Sequence, residues 1–554
     1  MRRTLSDLRR EVAEDANAAS EHTLGRALME LGQVSEALTH LQHAATLDPA
    51  RADYGCNLAA ALARTGDTTR ARDILRQMSN AASTRPLIDL AGLAAADGCL
   101  DEAFTLLAKA IAREPSRASL YVDIARTCAA GKTAGEIIAH LQHALGPASD
   151  PRLIARGVAR AIMKFGRYEE SRDCYLSMLR DTPGDPQCLA ALGAIGFVLR
   201  DLEAALAYHE RALRLCPENQ EMFYFHTFDL CALGRLAEAR RQVEAWKAHG
   251  GRLNVRPADY GQPDCGIRGS LAGKTVLCHG GRGYGDTIIM ARFVSCLKAR
   301  GANVIVECPP IVASLIRTVP GVDAVVSRYE PCPPFDFEYI LDEAWLLSDC
   351  GVEELGAGEP YVAPSPAAVT VWRARIPRGN GGNGGNGGAP GFNVGIAWRT
   401  EPRFTGDKYF ERTLSIDLVR PLLSIPGTRM HLMQVDIRPD ERAAADAATA
   451  DAGTAAPVID CGSAFGDFAD SAAAVQQMDL VITPDTSMAH LAGALGVPTF
   501  VLTPYTSWGW RWFPGRGDSP WYPRTRIFWQ DTPGDWTPVV AGAAEALTRA
   551  RALT

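Results

Sequence analysis

No stretch of this 554-residue chain reaches the roughly 18 uninterrupted apolar residues that a membrane-spanning helix needs, so no span is expected. The N-terminal stretch MRRTLSDLRREVAEDANAA has basic residues but no apolar core, and no secretory signal is read there. Cysteine occurs 14 times yet never as C-x-x-C, and all but Cys461 fall at or before Cys350. That spacing argues against a zinc site or a disulfide framework, and the chain reads as cytoplasmic with reduced thiols. An excess of positive charge is also missing. Lys+Arg is 57 against Asp+Glu 64, a net charge of −7, which argues against nucleic acid or an anionic membrane as the general partner. Charged residues make up 22% and the hydrophobic class 47%, ordinary for folded soluble domains, so wholesale disorder is excluded. At roughly 150 residues per domain, the length predicts about three to four domains.

What is present, first, is a repeat. Gly32, Ala37, Leu41, Ala44 and Pro49 are followed 34 residues on by Gly66, Ala71, Leu75 and Met78. Gly98, Ala103, Leu107, Ala110 and Pro115 come 32 residues later. A weaker unit holds Ile137, Leu141 and Ala144. Then come Gly166, Ser171, Tyr175, Met178 and Pro183, then Arg200, Ala205, His209, Ala212 and Pro217, and last Gly234, Ala239, Val243 and Trp246. Glycine at the turn permits positive φ between two helices, a small residue lets them approach, and proline stops the second helix. The period and the small–large–small order resemble the tetratricopeptide repeat. About seven helical hairpins are expected over residues 18–250, stacked because one hairpin alone buries too little. Residues 1–250 are thus expected to form an α-solenoid whose concave face binds a peptide or another domain. His22, His40, His43, His140 and His143 are scattered on helices and read as surface or packing residues.

After Gly250-Gly251 the pattern changes. KTVLCHG (274–280) is a strand, GRGYGD a glycine-rich turn, TIIMARFVSCLKARG a helix and NVIVEC (303–308) a second strand. Short apolar runs alternating with helical patterns predict a parallel sheet with crossover helices. GNGGNGGNGGAPG (379–391) has no core-forming residues and reads as a flexible linker. Beyond it, strands are expected at FNVGIAWRT (392–400), RMHLMQV (429–435), PVIDCG (457–462), DLVITP (479–484) and PTFVLTP (498–504). A helix is expected from about Pro538 to Ala552. The expected fold class is therefore α plus α/β: the solenoid, then two Rossmann-like lobes, 265–378 and 392–554, in the two-lobed GT-B arrangement.

VITPDTSMAHLAGALGVPTFVLTP resembles the signature of glycosyltransferase family 9, the ADP-heptose:lipopolysaccharide heptosyltransferases, and so does GRGYGDTI in the first lobe. The resemblance covers about residues 270–535. It implies an inverting transfer from a nucleotide sugar bound mainly by the second lobe to an acceptor on the first. It also implies that Asp286 is the general base, a role suited to a carboxylate facing the interlobe cleft, although an Asp at a helix start also suits an N-cap. Gly281, Gly283 and Gly285 form a loop that admits a sugar or phosphate close to the backbone, and their spacing departs from the dinucleotide pattern G-x-G-x-x-G. The helix start after DLVITP suits a diphosphate, with Thr486 and Ser487 adding hydroxyls. Asp485 carries the wrong sign for phosphate and is assigned to capping or sugar hydroxyls. His490 is placed by the resemblance near the diphosphate or sugar, with a packed helix histidine as the alternative.

A diphosphate leaving group needs countercharge, and no DxD-like metal motif is evident, so no metal and no cofactor beyond the nucleotide-sugar substrate are expected. Arg399, Arg403, Lys408 and Arg412 follow the first strand of the second lobe. GDKYF favours Lys408 by resemblance, and counting back from the next helix favours Arg412. Gln434 is expected to contact the nucleoside. Trp508, Trp510, Trp512, Trp521 and Tyr522, with Arg511 and Arg516, read as a stacking surface or, in preference, as a packed lid or interlobe core. The expected partners are a nucleotide-sugar donor and a protein or glycan acceptor recruited by the repeats. The competing expectation is a non-catalytic repeat scaffold carrying a degenerate glycosyltransferase domain.

Overall fold

The computed structural model describes residues 4–80, 82–115, 117, 133–146, 150–163, 165–251, 263–266, 268–281, 283–327, 330–356, 360–376, 391–400, 407–451, 458–507 and 509–552. The expected linker, apart from Gly391, lies outside them, as do Arg403 and Trp508. The chain divides into two compact units, and the division falls at Leu199/Arg200, inside the repeat region.

The first unit is built of helical hairpins. Ala18–Glu30 pairs with Val34–Leu47, Ala52–Arg64 with Thr68–Met78, Arg85–Ala96 with Leu100–Arg113, and Pro151–Met163 with Tyr168–Asp181. The weak unit keeps Ala134–Leu145, and residues 118–132 before it lie outside the described set. The turn glycines do what the sequence predicts. Gly32, Gly66, Gly98 and Gly166 hold φ of 77°, 90°, 78° and 71°, the left-handed region that glycine enters without a Cβ clash. Ala37, Ala71, Ala103 and Ser171 are fully buried where the paired helices approach. Ser171 satisfies its hydroxyl by donating to the Ala159 carbonyl at 2.8 Å.

The second unit opens with the helix Leu202–Leu215 and the last hairpin, Gln220–Ala232 with Leu236–Ala248. Arg200 stands where the other turns have glycine, at φ 61°. A non-glycine residue in that region costs about 1 kcal/mol. The side chain offsets the strain by docking: it donates to the Gln530 carbonyl at 3.1 Å and lies over the rings of Tyr505 (4.3 Å) and Trp529 (4.9 Å). The last helix is tied down as well. Lys247 Nζ meets the buried carboxylate of Glu343 at 2.6 Å, and Arg240 donates to the Cys350 carbonyl at 3.2 Å.

The α/β region holds two wholly parallel sheets. The first contains β1 Thr275–His279, β2 Asn303–Glu307, β3 Ala324–Val326 and β4 Phe337–Ile340 in the order β3-β2-β1-β4. The second contains β5 Phe392–Ile396, β6 Thr428–Leu432, β7 Ile459–Asp460, β8 Leu480–Pro484, β9 Thr499–Thr503 and β10 Thr525–Trp529 in the order β10-β9-β8-β5-β6-β7. Strands β3, β4 and β10 were not anticipated. Each is five residues or fewer, and β4 carries the charged Glu338, which hides its apolar pattern. In the second lobe, Val394, Ile396, Leu432, Ile482 and Leu502 from the sheet pack with Val419 and Leu422 on one helix and Val540, Ala543 and Leu547 on the C-terminal helix Thr537–Ala552. Burying each large aliphatic side chain contributes roughly 1.5–3 kcal/mol. Among the described residues no helix is long and apolar enough to cross a membrane.

Strand order reverses between β1 and β4 in one sheet and between β5 and β8 in the other. In open parallel sheets, the crevice beyond the carboxyl ends of the strands at such a switch point is where ligands bind.

Candidate functional site

β1 ends at His279, whose ring is held between two buried carboxylates, Glu307 at 2.7 Å and Glu338 at 3.1 Å. The chain then turns through Gly280 and Gly281 into the helix Tyr284–Ala291. Gly283, extended at φ −140°, is the N-cap, so Asp286 is the third residue of the helix and does not cap it. A Cβ built on Gly281 would fall 2.5 Å from Asp286 Cβ and 2.5 Å from Asp342 Oδ1. Asp342 comes one residue after β4, in the short helical turn Leu341–Leu347. The β1/β4 switch point therefore brings two aspartates up to one glycine. Gly285 makes a different approach possible: a Cβ there would lie 2.6 Å from His490 Cδ2. The absence of that carbon lets the first-lobe helix lie against the second-lobe helix Ser487–Ala494.

In the second lobe, β8 runs into Asp485 and Thr486. Thr486 is the cap, accepting from Met488 N at 3.2 Å, and its hydroxyl also meets Thr483 Oγ1 at 3.0 Å. Asp485, expected as a cap, instead accepts from Ser507 Oγ at 2.6 Å and faces Arg412. The Arg412 guanidinium donates to the Asp485 carbonyl at 2.6 Å and lies 3.6 Å from its carboxylate. Burial alone would raise the Asp485 pKa. Arg412, His490 and the Ser507 hydroxyl outweigh it and hold the carboxyl below its ordinary value. Ser487, half-buried, opens the helix beside them.

His490 is the packed histidine. It is 3% exposed, meets Tyr522 Oη through Nδ1 at 3.1 Å, and stacks on Trp512 at 5.1 Å and 15°. Burial pushes its pKa down to about 4 despite Asp485, so the ring is neutral at pH 7. Arg399 and Gln434 are also engaged locally. Arg399 pairs with Asp436 at 2.9 Å and with the buried Glu441 at 3.3 Å. Gln434 accepts from Arg399 N at 3.0 Å and donates to Asp436 at 2.9 Å, tying the β5 exit to the β6 exit. Lys408 is exposed, near the ring of Tyr409 and the backbone of Gly534. Of the two candidate cations, the structure brings Arg412 to the helix start and leaves Lys408 away from it.

The residue that sequence reasoning under-weighted is Arg511. Its guanidinium forms an ion pair with Asp286, linking the second lobe to the first. Burial would lower its pKa, and Asp286, Asp342, Asp485 and Tyr224 together raise it. The flanking residues explain how it is held. Trp510 packs against Trp345 (5.5 Å) and Trp521 (4.8 Å), while Trp512 stacks on His490. Trp510, Trp512, Trp521 and Tyr522 are all buried, so the aromatic segment is packed interlobe core. Gly509 at φ 109° and Phe513 at φ 48° bracket the five-residue turn. Tyr224 lies on the last repeat's first helix, where half-buried Tyr224, Phe225 and Phe228 form a ladder of rings 5.6 and 5.8 Å apart.

The molecule thus combines a helical-repeat region with a parallel-sheet α/β region of two Rossmann-like lobes. Residues 25–66 match the TPR repeat family model. The chain is 27% identical over 378 residues to Protein FlbA of Caulobacter vibrioides, a match covering 63% of this chain and 59% of that protein. The chain thus spans about three fifths of the length of this curated relative. Among solved structures, the E. coli ADP-heptose lipopolysaccharide heptosyltransferase II is 13% identical at a TM-score of 0.35, covering 50% of this chain and 100% of that one. A family 9 glycosyltransferase from Veillonella parvula is 11% identical at a TM-score of 0.34, covering 51% and 98%.

Proposed function

We propose that the protein is an inverting glycosyltransferase that moves a sugar from a nucleotide-sugar donor to an acceptor hydroxyl. The observation that carries this reading is the meeting of the two lobes at one place: Asp286 of the first pairs with Arg511 of the second, and Gly285 lies against His490 and Ser487 on the Thr486-capped helix whose start Arg412 covers. These lie beyond the carboxyl ends of two parallel sheets, at the switch points. In this reading Asp286 takes the proton of the acceptor hydroxyl as its oxygen attacks the anomeric carbon. The bond from that carbon to the diphosphate oxygen breaks, and the nucleoside diphosphate leaves with the electron pair. One displacement inverts the anomeric centre. Arg412 and the backbone N–H groups of Thr486 and Ser487 stabilise the charge that gathers on the leaving oxygen, with arginine supplying the countercharge.

The acceptor in this reading is a protein or glycan delivered by the repeats. The Tyr224–Phe225–Phe228 ladder, whose first ring lies within electrostatic reach of Arg511, supports delivery from that side. The direct test is thermal stabilisation of the full chain across ADP-heptose, UDP-GlcNAc and GDP-linked sugars. A ligand that binds the folded state raises the midpoint with the logarithm of its excess. One clear responder is expected. Silence across saturating ligands sinks the enzyme reading in favour of a scaffold.

A further inference from the structure

Two described cations of the site are already occupied. Arg412 is matched to Asp485 and Arg511 to Asp286, so both face a carboxylate. The two pairs are not equivalent. Asp485 is buried and also holds the Ser507 hydroxyl at 2.6 Å. Asp286 and Arg511 are 24% and 21% exposed at the side chain, so this pair is the more accessible of the two. They also belong to different lobes. The turn that carries Arg511 is pinned by the buried rings of Trp510 and Trp512 on either side, so only the side chain of Arg511 needs to move for the pair to part.

We propose that Arg511 is a donor-operated latch on Asp286: in the empty site it neutralises the base, and an arriving nucleoside diphosphate draws the guanidinium onto its phosphates and releases the carboxylate for the acceptor. The proposal rests on the glycosyltransferase reading above and adds an order to it. Donor binds first, because the base is masked until the donor's negative charge exchanges with that of Asp286. A planar guanidinium suits both states, since its fork matches a carboxylate and a phosphate alike.

Titration calorimetry on the full chain with ADP, UDP and GDP tests the exchange. Removing the competing charge in Asp286→Asn is expected to tighten the responding nucleoside diphosphate by about threefold to tenfold. Arg511→Ala is expected to weaken it by about tenfold or more, and Arg511→Lys to restore part of that loss. In the double variant Asp286→Asn/Arg511→Ala the gain from the asparagine should vanish, because the two changes act on one pair. Unchanged or weaker binding by Asp286→Asn overturns the latch, and so does a gain that survives in the double variant. Should Arg511→Ala fail to fold, Asp286→Asn and Arg511→Lys still decide, since each keeps a polar side chain in place. If the wild-type chain binds no nucleoside diphosphate, the glycosyltransferase reading falls and the latch falls with it. Binding without the asparagine gain removes the latch alone.

Discussion

The exits of β1 and β8 are built alike and charged differently. Each is a parallel strand at a switch point, followed by a short turn and an eight-residue helix. At β8, Thr486 caps the helix and Arg412 covers the one nearby carboxylate, leaving a helix start suited to an anion. At β1, Gly283 provides no side-chain cap, and Asp286 and Asp342 make the turn acidic until Arg511 arrives from the other lobe. The lesson is that a strand–turn–helix does not by itself bind phosphate. The side chains around the turn set the sign, and here the two signs divide between the two lobes.

The sharpest way to break that contrast is Asp286→Ala. Loss of a general base lowers kcat by about 10²–10⁴-fold, while nucleoside diphosphate binding should persist or tighten, because its phosphate contacts lie on the second lobe and lose a competing carboxylate. Near-original turnover would remove the acid–base role from β1. Arg399→Ala is expected to act on stability instead, by about 1.5 kcal/mol in denaturant unfolding, because the buried Glu441 loses one of its two arginines and keeps Arg438 at 3.0 Å. A fall in donor affinity with stability intact would move Arg399 into the β8 site beside Arg412. Arg412→Ala should weaken the donor by about 10- to 100-fold, whereas Lys408→Ala should change it less than about twofold. The reverse ranking would overturn the assignment of the countercharge.

The smallest effect probes the contact between the two turns. His490, against Gly285, and His431, in β6, are both held by burial at about 4. Their ordinary value is 6.5, so the unfolded chain takes up protons first as the pH drops. The stability they contribute is complete above pH 6.5 and is lost as the pH falls toward 4. Going from pH 7 to 6 should cost roughly 1 kcal/mol for the two together. His431→Gln should remove about half of that slope, and an unaltered slope would show that other groups set it.

Much of this was legible because it is periodic. The glycine–alanine register marks the turns at Gly32, Gly66, Gly98 and Gly234, and the runs at β1, β2, β5, β6, β7, β8 and β9 stand out between helical patterns. Asp286, Asp485 and Thr486 could be singled out because each adjoins a strand or helix end, whereas Arg412 and Lys408 stay open alternatives in the sequence. Direction was not legible. Arg399 and Gln434 sit where a donor contact belongs, but nothing in their spacing says that they turn toward Asp436 and Glu441. Arg511 lies in an aromatic stretch without period, and its importance depends on Asp286, more than two hundred residues earlier. Asp342 follows a strand too short and too charged to be seen.

Arg200 also bears on where such a chain can be divided. The unit that holds the site begins at this residue, so the final hairpin, with Lys247 on Glu343, is part of the same body as the two lobes. Cutting the chain at Gly250 would strip that body of Arg200, Arg240 and Lys247, and with them the Lys247–Glu343 ion pair. A boundary drawn where the repeat pattern stops would therefore divide the body that carries the site.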